Sequence, residues 1–175
     1  MLQTFIEWAW ARHHNVLSWY VRPLFLLPFC YFAYRRSLLG IALTILALAT
    51  SMFWFPIPES VSPAVLSALA AEKEYLLGPW NLWKTILALL VPVSFTCLAA
   101  AFWKRSYLLG LIVINAMILI KILWTFFVFD KDAVMAHLLP AVCGLFALNV
   151  GILYCLRRNC LMLPEHHNRA ERLDQ

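Results

Sequence analysis

The sequence predicts an all-α integral membrane protein: a bundle of five transmembrane helices with a tandem two-helix repeat and amphipathic interfacial helices on its outer face. Three observations predict it. The 175 residues are 63% hydrophobic and 13% charged, with a mean hydropathy of +0.77, whereas soluble domains run near about 50% apolar and about 25% charged. Apolar windows of roughly 20 residues, the length that crosses a hydrocarbon core of about 30 Å, take up most of the chain and leave no room for an extramembrane core. Basic pairs stand at the ends of those windows, which is the pattern of topology signals and not of a nucleic-acid surface, despite the net charge of +5.

Residues 1–158 read as one membrane domain and residues 159–175 as a polar cytoplasmic tail. At the N-terminus, over about 1–15, the apolar positions Leu2, Phe5, Ile6, Ala9 and Trp10 follow i, i+3, i+4, i+7 and i+8, with Gln3, Glu7 and His14 off the stripe. That spacing predicts a helix lying in the membrane interface. Glu7, Arg12, His13 and His14 interrupt any signal-peptide core.

Spans are expected at about 16–34, 38–55, 83–103, 108–129 and 134–156. The first contains Arg22, Pro23 and Pro28, and an alternative reading lays it in the interface and leaves four spans. Between the second and third, Ser62 as N-cap, Pro63 at the first helical position and Gly78-Pro79 as the stop enclose an amphipathic outer helix over about 63–77, with Glu72, Lys73 and Glu74 on its wet side.

Arg35-Arg36, Lys104-Arg105 and Arg157-Arg158 follow spans one, three and five and so fall on one side, where Arg169 and Arg172 join them. The excess of basic residues predicts that this side is cytoplasmic, with the N-terminus outside and the chain multi-pass in an inner (plasma) membrane. The segment Tyr34-Arg35-Arg36-Ser37-Leu38-Leu39-Gly40 recurs as Trp103-Lys104-Arg105-Ser106-Tyr107-Leu108-Leu109-Gly110, with Tyr107 inserted. This is the candidate repeat, two copies of like topology related by an axis along the membrane normal. Trp8, Trp10, Trp19, Trp54, Trp80, Trp83 and Trp124 cluster near span ends, as an aromatic belt does.

Polar residues inside the spans are the candidates for function, because each carries an insertion cost. Counted from the cytoplasmic pairs at about 1.5 Å per residue, Lys121 lies roughly 24 Å up, Arg22 roughly 20 Å and Ser51, the repeat counterpart of Lys121, roughly 22 Å. The three share a level in the outer third and are the candidate ligand-binding set, suited to an anionic headgroup. Asn115 and Asn149 both fall near mid-membrane, roughly 12 to 15 Å up. They are candidates to hydrogen-bond to each other and join span four to span five.

The remaining chemistry is thin. All nine acidic residues lie in termini, loops or span edges, and Asp130, Asp132, Glu72 and Glu74 are the acids an enzyme would have to use. No nucleophile elbow, zinc-protease motif, phosphate loop or dinucleotide fingerprint occurs, and no catalytic set is assigned. Five cysteines without metal spacing and His137 as the sole histidine within a span predict neither metal nor cofactor. The expected function is that of a non-enzymatic accessory, assembly or interaction subunit, in contact with the lipid bilayer and a membrane-protein partner or further copies of itself. The alternatives are a small transporter or lipid-binding protein with an outer basic pocket for an anionic lipid, and a membrane-embedded lipid-modifying enzyme.

Overall fold

The computed structural model describes residues 2–128 and 131–171, and those residues are helical with no strand among them. In chain order the helices are α1 (Leu2–His13), α2 (Leu17–Leu24), α3 (Leu26–Tyr34), α4 (Leu38–Thr50), α5 (Pro63–Leu77), α6 (Leu82–Trp103), α7 (Tyr107–Val128) and α8 (Lys131–Glu171). A 3-10 turn, Ser51–Phe53, extends α4.

Among the described residues, three helices are long and apolar enough to cross a membrane: Leu82–Trp103, Tyr107–Phe126 and Ala136–Arg157. The five expected spans are therefore not five uniform helices. Segment 16–34 is divided at Phe25, because Pro28 has no N–H for the carbonyl of Leu24, and the Phe25 N–H turns back to Arg22 O at 3.2 Å. With α1 it forms a pair bent by 84°, which has spanning length only when both arms are taken together. Segment 38–55 is shorter than expected, since Leu38–Phe53 rises only about 24 Å at about 1.5 Å per residue. It stops because the Thr50 and Ser51 hydroxyls donate back to Leu46 O and Leu48 O, tightening the last turn, and because Pro56 and Pro58 follow. The expected end of the fourth span at Phe129 lies outside the described residues. α8 continues as helix beyond Arg157, through the segment expected as a polar tail, to Glu171.

Helices α3, α6, α7 and α8 close a ring, each packed on the next. Phe29, Cys30 and Ala33 from α3, Leu98 and Phe102 from α6, Ile114 and Ile118 from α7, and Leu148 and Ile152 from α8 fill its centre. α4 packs outside the ring against α3. At one end the two hairpin turns lie side by side: Arg36 Nε donates to Trp103 O at 3.2 Å, and the Arg105 guanidinium sits 5.5 Å from the Tyr34 ring centre. This is the basic end.

Both turns are built alike. Arg36 and Arg105 have φ of 56° and 57°. The N–H groups of Arg36 and Ser37 bond to Ala33 O and Phe32 O, and those of Arg105 and Ser106 to Phe102 O and Ala101 O. This is the paired bonding of a left-handed helix cap, followed at once by a serine that caps the next helix. Gly40 and Gly110 lie against the Phe32 and Phe102 rings, where an added Cβ would come within 2.3 and 2.4 Å of ring carbons.

The opposite, lid end is a second layer. α2 and α5 pack on α8 there, around the buried Trp19, Val65, Ala68 and Leu69. Gly144 of α8 lets α2 approach this closely, because a Cβ at that position would sit 2.4 Å from Pro23 Cβ. Arg22, the neighbour of Pro23, is thereby carried in over the ring.

Candidate functional site

The lid layer gathers titratable side chains from five helices. α1 ends in His13, which is 2% exposed and follows the buried Ala9 by one turn. Asn15 shapes the corner into α2, its side chain accepting from Leu17 N–H at 3.0 Å and donating to Pro56 O at 2.9 Å. Arg12 donates to Phe55 O at 3.1 Å and stacks on Trp8, holding the segment after α4 against α1.

His13 then joins two elements. Arg22 Nη2 lies 3.1 Å from His13 Nδ1, and His13 Nε2 lies 3.3 Å from Glu72 Oε2 on α5. A guanidinium only donates, so the Arg22 contact places a lone pair on Nδ1, and Nε2–H donates to the carboxylate. In that state the imidazole links guanidinium to carboxylate. Trp19 Nε1 donates to His13 O at 3.2 Å and its ring stacks on His137 of α8, 4.8 Å between centres and 8° from parallel. Lys121 of α7 lies within electrostatic reach of Arg22, Glu72 and His137.

Glu72 is the correction to the sequence reading. Expected on the wet side of α5 with Lys73 and Glu74, it turns inward with its side chain only 33% exposed, while those two neighbours stay exposed. Burial raises the Glu72 pKa, but the hydrogen bond from His13 and the positive charge of Arg22 outweigh it. The carboxyl therefore titrates below its ordinary value. A signal for this inward turn was present: Val65, Ala68, Leu69 and Glu72 fall at i, i+3, i+4 and i+7, so the acid completes the buried stripe.

The other candidate residues are placed as follows. Arg22 and Lys121 are brought into one field, with Glu72 between them in charge. Ser51 is fully buried in the turn beside α1 and α2, its hydroxyl donates to Leu48 O at 2.7 Å, and among the described residues no hydrogen bond joins it to Arg22 or Lys121. Asn115 and Asn149 exchange two hydrogen bonds, of 3.0 and 3.3 Å. Each amide gives its second N–H to its own helix, at Leu111 O and Leu145 O. All four amide hydrogens are satisfied on the surface of the α7–α8 pair. Asp130 lies outside the described residues, as does the side chain of Asp132.

In chemical terms the lid end brings together one guanidinium, one amine, two imidazoles and one carboxylate, from Arg22, Lys121, His13, His137 and Glu72. Among the described residues, no three His, Cys, Asp or Glu side chains converge to hold a metal ion. Arg22 and Lys121 outnumber the one carboxylate, Glu72, by one formal charge. The arrangement suits an anion. Comparison with known proteins finds no family model, no curated protein and no solved structure that matches this chain.

Proposed function

We propose that this chain is a multi-pass protein of the inner (plasma) membrane whose lid end, facing outward, binds the anionic headgroup of a membrane lipid through Arg22 and Lys121. The observation that carries the reading is the Arg22–His13–Glu72 chain formed between α2, α1 and α5, with the exposed Lys121 of α7 within electrostatic reach of it, so that two cations stand against one carboxylate. Phosphate is the natural complement, since guanidinium and ammonium groups donate to its oxygens with charge-assisted bonds. The five-crossing topology belongs to the same proposal. It is supported by connectivity, because α4 leaves the turn at the basic end and leads to α5 in the lid layer. The likeness of the two turns supports the tandem repeat.

A second reading, that of an accessory or assembly subunit, is favoured by the Asn115–Asn149 pair. It displays amide groups on the outside of two apolar spans, each oxygen with a lone pair left for a donor from a partner helix. One experiment separates the two: native mass spectrometry of the gently solubilised protein, read for retained lipid and for a second polypeptide. The lipid reading expects an anionic phospholipid that disappears in the Arg22→Gln, Lys121→Gln double variant, and unchanged lipid content in that variant sinks it. A second chain at fixed stoichiometry, lost on Asn115→Leu, supports the accessory reading instead.

A further inference from the structure

A second feature of the lid end lies on the other flank of α5. That helix packs along α8, and it meets α6 and α7 through side chains: Tyr75 against Trp124 with ring centres 5.3 Å apart, and Lys84 Nζ donating to Gly78 O at 3.0 Å. Between them is an open cleft of about 370 Å³, within the size range of small-molecule sites. Its apolar wall is Tyr75, Trp83, Leu87 and Trp124, and its polar groups include Lys84 and Glu74.

Lys84 is only 6% exposed. Its ammonium lies 4.7 Å from the Tyr75 ring centre and 5.1 Å from that of Trp80, and no carboxylate lies within salt-bridge distance of it among the described residues. It also sits in the first turn of α6, whose N-cap Asn81 accepts from the Lys84 N–H at 2.9 Å, so the backbone adds positive potential at the same point. Lys84 is thus held by one carbonyl and two ring faces and not by an ion pair, and Glu74, the carboxylate in the cleft wall, stands beyond salt-bridge distance of it.

The cleft and the charged cluster are also related in register. Tyr75 follows Glu72 by three residues on α5, and Trp124 follows Lys121 by three on α7, so each pair shares a helix face. The aromatic contact is thus one layer and the Glu72 and Lys121 charges the next. A molecule seated against Tyr75 and Trp124 lies one turn from the charged cluster.

We propose that this cleft is a binding site for a phosphate-bearing amphiphile taken from the bilayer, with Lys84 as the charged contact and Tyr75, Trp83 and Trp124 clasping the apolar segment beside the phosphate. The proposal rests on the reading that the lid end receives anionic lipid, and it adds a second set of residues and a sideways entrance. A free phosphate ion would use the cations without the aromatic wall; an amphiphile uses both.

The test titrates dodecyl phosphate and inorganic phosphate separately into the purified full chain in a neutral detergent, scoring bound species by native mass spectrometry. Dodecyl phosphate is expected to bind at least about tenfold more weakly to Lys84→Gln and to Trp124→Ala, with Lys84→Arg and Trp124→Phe retaining most of the affinity because charge and ring remain. Inorganic phosphate binding is expected to depend on Arg22 and to be unmoved by Trp124→Ala. Unchanged dodecyl phosphate affinity in both truncating variants overturns the cleft site and leaves the Arg22–Lys121 reading standing. Equal loss in the conservative variants overturns it as well, since packing and not charge or ring would then be responsible. Equal wild-type affinity for the two probes assigns the site to free phosphate and rejects the amphiphile. A wild-type protein that binds neither removes both readings.

Discussion

Glu72 accepts from His13 and stands in the field of Arg22, His137 and Lys121, so its neutralisation leaves the lid cations without a counter-charge. Because its pKa in the folded protein lies below the ordinary carboxylate value of about 4.3, its stabilisation is complete above that value and is lost as pH falls through the folded one. Thermal unfolding in detergent across an acid pH series should show this as a falling limb below about pH 4.3. Glu72→Gln should lose that limb and be less stable at neutral pH by about 1 to 2 kcal/mol, the scale of a partly exposed hydrogen bond to a charged group. An acid limb of full size in Glu72→Gln would hand the effect to other carboxylates. None of this was legible from residue depth alone. Depth arithmetic found Arg22 and Lys121 by their cost in a span, but His13 and Glu72 lie outside the spans, and their meeting depends on how α1 and α5 fold over the ring.

At the scale of elements, the two turns at the basic end carry arginine where the backbone is left-handed, a conformation that costs a side-chain-bearing residue about 1 kcal/mol and glycine almost nothing. The two positions differ in what the arginine returns. Arg36 donates to Trp103 O and so closes the end of α6, while Arg105 has its guanidinium over the Tyr34 ring. Arg105→Gly is therefore expected to raise stability by about 0.5 kcal/mol and Arg36→Gly to leave it nearly unchanged, relief of strain and loss of the bond offsetting each other. Thermal melts of the two variants in one detergent check the order, and a larger gain at Arg36 would defeat the account. The turns and α5 were legible because their signals are local: the basic pairs between apolar windows, the Ser62-Pro63 start, the Gly78-Pro79 stop. The break at Phe25 was half legible, since Pro28 marked it, but the 84° bend between α1 and the segment from Leu17 to Tyr34 had no such mark. The early end of α4 was not, because hydropathy continues through Met52, Phe53, Trp54 and Phe55 while the helix has already tightened and stopped.

For the whole molecule, the open matter is how an 84° bend and a helix of about 24 Å are arranged across a hydrocarbon core of about 30 Å. A short helix is accommodated by local thinning of the bilayer or by interfacial residues reaching to the headgroups, each at a fraction of a kcal/mol per Å. α4 has the flanks for this: Arg35 and Arg36 before it, and Trp54 after it, exposed and edge-on to Phe25. If α4 crosses, residues 56–62 and the Ser106 turn stand on opposite sides of the membrane. If α4 lies in one leaflet, they stand on the same side. Single cysteines at Glu59 and at Ser106, in a chain whose five native cysteines are replaced by alanine or serine, decide between these when intact cells are treated with a membrane-impermeant maleimide. Glu59→Cys is expected to label in intact cells and Ser106→Cys only after lysis, if the basic pairs stand on the cytoplasmic side as proposed. Labelling of both from one side would remove the α4 crossing. It would also undo the outward orientation of Arg22, Lys121 and the cleft, because the lid layer is tied to the segment after α4 through Arg12 and Asn15.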